Sequence, residues 1–201
     1  MGMANLREYF NSPDQSVRLK AALAAGTYPQ ADFIEILIHQ CAVESDFFVR
    51  DTLSWALMRQ QRDAVMELLK TELNSPISQA RSQALHTLSK IGDKANYSLI
   101  TNEHLLDEEV LVASTAWRAA SVLVPDDQKN NLVRKLVTQL GRGDGDTQFG
   151  LTRFLCTIGE PIVQPLQEAA KSDEESVRVH AEITLIRFKE LQLEFKKLQS
   201  K

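Results

Sequence analysis

The chain has 201 residues, 43% of them hydrophobic, and a formal net charge of −4. That apolar content and length suffice for a sizeable core and exclude a disordered polypeptide. The net negative charge gives no global attraction to nucleic acid or to an anionic membrane, although a local basic strip stays open.

Only 8 Gly and 6 Pro interrupt the chain, and β-branched alternation is nowhere sustained, so the expected fold is all-α. No apolar run approaches membrane-spanning length. The opening residues carry no signal-peptide apolar segment, and Leu6 stands where a myristoylation motif needs Ser or Thr. Cys41 and Cys156 lie far apart, indicate no disulfide framework, and are each expected to fill a core gap as a reduced thiol. A cytoplasmic protein is the corresponding expectation.

In chain order, a short helix near Asn5 to Phe10 precedes a helix opened by Asp14. A second pair follows: Asp32 to Ala42, then Asp46 to Gln60. In the latter, Val49, Leu53, Ala56, Leu57 and Gln60 form one stripe at helical spacing, with Asp46 placed to cap free N–H groups. Asp51, Trp55 and Arg59 fall off that stripe. Arg62 to Leu73 leads to a helix around Arg81 that stops at Gly92. Tyr97 to Leu106 leads to a helix around Ala113, and Gln128 to Leu140 leads to one around Gln148. Between these last two the turn Gly141 to Asp146 places Asp144 or Asp146 near a cap. Glu160 to Lys171 precedes a helix from Glu174 to about Leu198. Pro13, Pro29, Pro76 and Pro125 fall in the joints.

The second helix of each pair repeats one pattern. Aligned on Arg18, Arg50, Arg81, Ala113, Gln148 and Arg178, the copies are separated by 32, 31, 32, 35 and 30 residues. Three residues after this anchor stand Ala21, Leu53, Ala84, Ala116, Leu151 and Ala181. Four before it stand Asp14, Asp46, Ile77, Glu109, Asp144 and Glu174. A near-fixed period of that size marks a solenoid, in which neighbouring pairs bury one another's stripes.

D-Q-S-V-R-L-K-A-A-L-A-A from Asp14, and I-G-E-P-I-V-Q-P-L-Q-E-A-A-K-S-D-E-E-S-V-R-V-H-A from Ile158, resemble HEAT repeats, in particular the short phycobilisome-lyase-type form. The resemblance implies a right-handed α-α superhelix (a HEAT-like, armadillo-type solenoid) of about six helix pairs. It is expected to be a single domain over residues 1–201, with 189–201 a C-terminal capping extension. It also implies a hydrogen-bonded ladder between the acidic residue and the anchor Arg of successive repeats. Both partners exist only in repeats one, two and six. No lyase activity is carried over with the pattern.

In such a solenoid the second helices line the concave face. The fifth position after the anchor carries Leu23, Trp55, His86, Arg118, Arg153 and Ile183; the ninth carries Thr27, Arg59, Lys90, Val122, Thr157 and Arg187. Asp51, Trp55, Arg59, His86, Lys90, Arg118 and Arg153 are therefore the candidate binding residues. Arg59, Lys90, Arg118 and Arg153 form a basic strip suited to an acidic peptide segment or phosphates. An exposed Trp55 beside Arg59 would be a partner hot spot; Trp117 is expected to pack between repeats.

F-F-V-R-D-T-L-S-W-A-L-M-R also looks like the DNA-alkylation-repeat glycosylases. That likeness implies Trp55 at a lesion cleft, with Asp51 able to face the same groove but unmatched to the family's own acid. His39, His86, His104 and His180 show no paired spacing, and no metal, cofactor or catalytic set is expected. The expected function is a non-catalytic interaction scaffold holding a protein partner on its concave face. The alternatives are a nucleic-acid or DNA-repair protein of the glycosylase kind, and an accessory subunit assembled through the tail helix. Partner identity and oligomeric state stay open.

Overall fold

A computed structural model describes residues 2–199. Among them the backbone forms α-helices joined by short 3-10 turns, with no strand. The contacts gather into two compact units, Met1–Gly92 and Asp93–Lys201. No helix among the described residues is long and apolar enough to cross a membrane.

The first unit holds α1 (Met3–Phe10), α2 (Gln15–Thr27), α3 (Ile34–Val43), α4 (Phe47–Met58), α5 (Arg62–Glu72) and α6 (Ser78–Ile91). α2 packs on α4 and α4 on α6, while α3 lies against both α4 and α6. The surfaces that meet are the stripes read from sequence. Ala22 and Ala25 of α2, Leu53 and Leu57 of α4, and Leu85 and Leu88 of α6 are all buried. Small residues let these helices close up. At Gly26 a Cβ would stand 2.2 Å from Cζ3 of Trp55, so the indole rests where any other residue would place an atom.

The second unit holds α7 (Asn102–Leu105), α8 (Val110–Leu123), α9 (Lys129–Val137), α10 (Gly145–Ile158), α11 (Val163–Ala169) and α12 (Glu175–Gln199). α8 packs on α10 and α10 on α12; α9 and α11 cover the other side of this row. Trp117 is fully buried, and its indole N–H donates to the Leu105 carbonyl at 2.8 Å. That bond avoids the ~1–3 kcal/mol cost of a buried, unmade donor.

The anchor side chains bond to turn carbonyls, and Arg18 in addition reaches across to an acid of the next repeat, Glu44, at 2.8 Å, rather than to Asp46 of the acidic column. Arg18 Nη1 donates to the Ser12 and Pro13 carbonyls, Arg50 Nη1 to those of Glu44 and Ser45, Arg81 Nη1 to Ser75 and Arg178 Nη1 to Ser172. Gln148 does the same with its amide, toward the Gly141 and Gly143 carbonyls. Each anchor thus ties down the turn ahead of its own helix. The acidic column is occupied elsewhere: Asp14, Asp46 and Asp144 accept backbone N–H bonds from Ser16, Val49 and Thr147 at their helix starts. Asp is short enough to cap at this position. Glu109 makes no such cap.

A second device recurs six residues before the anchor. The side chains of Ser12, Glu44, Ser75, Asp107 and Ser172 accept the backbone N–H of Asp14, Asp46, Ile77, Glu109 and Glu174. The exception is Arg142. Its guanidinium reaches the Asp107 and Glu108 carbonyls instead, the two that an anchor Arg at Ala113 would have taken. The repeat that lost its anchor is served by the next turn.

The first helices of the later pairs differ from expectation. The segment expected as Tyr97 to Leu106 is a 3-10 stretch, Lys94–Leu99, followed by the four-residue α7. Near Asp32, Gln128 and Glu160, too, a single 3-10 turn comes first and the α-helix starts later. Tight i→i+3 turns satisfy carbonyls at such entries. Gly92 and Gly159 both end helices at positive φ, 69° and 93°, as expected of glycine there. α12 runs through Gln199, and the rest of the expected 189–201 extension lies outside the described residues.

Candidate functional site

The candidate residues fall into two groups, one in each unit. In the first unit Asp51, His86 and Lys90 meet. One Asp51 carboxylate oxygen lies 2.5 Å from Lys90 Nζ and 3.5 Å from His86 Nε2. The Lys90 hydrogen bond holds the Asp51 carboxyl below its usual range, against the opposing effect of burial. Lys90 therefore does not stand free in a basic strip, because its charge is already met by Asp51.

Trp55 is not a free aromatic either. It is half-buried, and its ring lies over Gly26 of α2. A residue off the apolar stripe is thus explained by packing between two second helices. Arg59 ends α4, is exposed, and makes no ion pair among the described residues. Phe47 and Phe48 are exposed and meet edge to face, with ring centroids 5.6 Å apart.

The second unit presents a groove of about 500 Å³ between α8, α10 and α12. Arg118 and Val122 come from α8, Arg153 and Thr157 from α10, and Arg187 from α12. These are the fifth and ninth positions after three successive anchors, so two columns read from sequence converge on one surface. The apolar part comes from Phe149 and Phe154 of α10 and Leu191 of α12. Among the described residues no Asp or Glu lines it. Arg118 and Arg153 are exposed and make no ion pair among the described residues. Arg187 meets Glu190 of its own helix at 3.2 Å.

The cysteines are unlike each other. Cys41 is buried, and burial pushes its thiol up to about 12. Cys156 is half-buried on the groove; burial raises its thiol, and the Arg187 charge pulls the other way. Among the described residues no His, Cys, Asp and Glu gather into a group able to hold a metal ion. Compared with known proteins, the chain matches no family model and no curated protein.

Three participants escaped the sequence reading. Phe149 stands one residue after its anchor, a column that mixes Leu19 and Val179 with Asp51, Ser82 and Ser114 and so gives no consistent signal. Arg187 was already in the ninth column and needed only the next repeat beside it. Glu44 sits six residues before Arg50, in the column of turn acceptors; aligning that column as Ser, Glu, Ser, Asp, Arg, Ser would have exposed it.

Proposed function

We propose that the protein is a non-catalytic interaction scaffold, a right-handed HEAT-like superhelix of about six helix pairs that binds a protein partner on the face carrying the fifth and ninth positions after each anchor. The observation that carries this reading is the α8–α10–α12 groove, with three arginines, exposed apolar side chains and, among the described residues, no acidic lining residue. Arginines and aromatics around an apolar centre are the composition of protein-binding hot spots. The superhelix is supported by the turn clamp recurring at Arg18, Arg50, Arg81, Gln148 and Arg178, and by Arg142 filling in for Ala113. Equivalent turns set equivalent helix pairs, and stacked equivalent pairs make a solenoid.

The test is an affinity pull-down from native cytosol with the wild type, Arg118→Glu and Arg134→Glu. The groove reading expects partner recovery to fall for Arg118→Glu and to hold for Arg134→Glu, an exposed residue of α9 outside the fifth and ninth columns. Equal recovery with all three baits removes the groove from the account.

A further inference from the structure

We infer that the α8–α10–α12 groove takes an acidic peptide segment that seats an apolar side chain among its three arginines. The inference rests on the scaffold reading above and narrows it to one class of partner. Arg118, Arg153 and Arg187 come from three different helices, yet all line one groove of about 500 Å³, within the size range of ligand clefts. A guanidinium presents a planar fork of donors that fits a carboxylate at two points. Arg118 and Arg153 have no such partner among the described residues, and Arg187 already holds one carboxylate, Glu190, at 3.2 Å in an exposed pair. A carboxylate that engages more than one guanidinium displaces a lone exposed pair of this kind readily.

The apolar lining decides between anions. Phe149 is 60% exposed and Val122 45%, both directly beside the arginines. A bare phosphate would neutralise the guanidiniums and leave these side chains in water. A nucleic-acid strand could stack on Phe149, but its phosphates run on past three arginines into a chain of net charge −4. An acidic segment with an interposed apolar residue satisfies both parts of the groove at once, and its charge is as short as the basic surface that receives it.

The experiment uses the full chain and three fluorescein-labelled probes followed by anisotropy over a range of salt. One is a peptide of Glu, Asp, Leu and Phe; the second keeps its apolar residues and exchanges every acid for Lys or Arg; the third is a single-stranded RNA. The acidic peptide is expected to bind, to weaken as salt rises, and to lose about tenfold or more in affinity to the Arg118→Glu, Arg153→Glu double variant. The bound peptide is also expected to slow alkylation of Cys156 in the wild type, read by mass spectrometry, so that a misfolded variant does not decide the matter. Tighter binding of the basic peptide or the RNA overturns the inference. So does an unchanged affinity in a folded double variant, or alkylation of Cys156 at the free rate. If the acidic peptide fails while Arg118→Glu still loses partners in the pull-down, only the acidic class falls. If both fail, the scaffold reading falls with it.

Discussion

Glu44 is the most committed single residue in the first unit. Its side chain is 1% exposed and accepts from Arg18 Nε and Nη2 at 2.8 Å, Gln40 Nε2 at 2.9 Å and the Asp46 backbone N–H at 3.0 Å. Burial alone would raise its carboxyl; these four donors outweigh burial and hold it below its ordinary value of 4.5. His180 is its counterpart in the second unit. Nδ1 accepts the Gly141 N–H at 3.0 Å, which leaves the proton on Nε2 to donate to Thr152 at 3.1 Å. Thr152 then donates to Thr184, and Thr184 to the His180 carbonyl. Burial lowers the imidazole below its ordinary 6.5. Both groups have depressed folded values, so both contribute stability at higher pH and lose it on acidification. The His180 contribution is full above 6.5 and the Glu44 contribution above 4.5; each disappears as pH falls through its folded value. Urea titrations should therefore show stability falling in two stages below neutrality. Glu44→Ala should cost about 3–5 kcal/mol at neutral pH, because it leaves Arg18 half-buried without its partner. A loss within ~0.5 kcal/mol would mean that the network is not what holds the turn.

At the scale of the element, the turn ahead of each second helix is the recurring structural unit. Arg142 makes the sharpest prediction, since its bonds to the Asp107 and Glu108 carbonyls join one turn to another. Arg142→Ala should cost about 1.5–3 kcal/mol and speed hydrogen exchange at the start of α8. Arg153→Ala, an exposed residue with no ion pair among the described residues, should stay within ~0.5 kcal/mol of wild type. Equal effects of the two would contradict the assignment. The second helices were legible in sequence because burial imposes a strong period, and α2, α4, α6, α8 and α10 lie where the anchors placed them. The turns were not legible. Their side chains bond mainly to backbone carbonyls and N–H groups, which any sequence supplies, so the acid and arginine columns read as partners although Asp14, Asp46 and Asp144 cap their own helices and the acid that Arg18 reaches in the next repeat is Glu44, two residues before that column. α7 was misjudged for a related reason. His104 caps its start by accepting the Thr101 N–H at 3.1 Å, and such a local bond sets the helix start at Asn102 inside a pattern that still looks helical from Tyr97.

Across the molecule the charge distribution separates structure from surface. Arg18, Arg50, Arg81, Arg142 and Arg178 are spent on turns, and Lys90 is spent on Asp51. Arg118, Arg153 and Arg187 instead line the groove, a local positive surface on a chain of net charge −4. Reading Arg59, Lys90, Arg118 and Arg153 as one basic strip overlooked this division, since Lys90 is already paired with Asp51. The arginines in the anchor column and those in the fifth and ninth columns are equivalent in composition, but only their partners tell them apart. The decisive question is whether a protein sits in that groove. A photoactivatable residue at Val122, which lines it, should yield a protein adduct in native cytosol that disappears when Arg118→Glu and Arg153→Glu are added, while the same residue at the exposed Glu168 yields none. No adduct from Val122, or one indifferent to both charge reversals, would contradict the account.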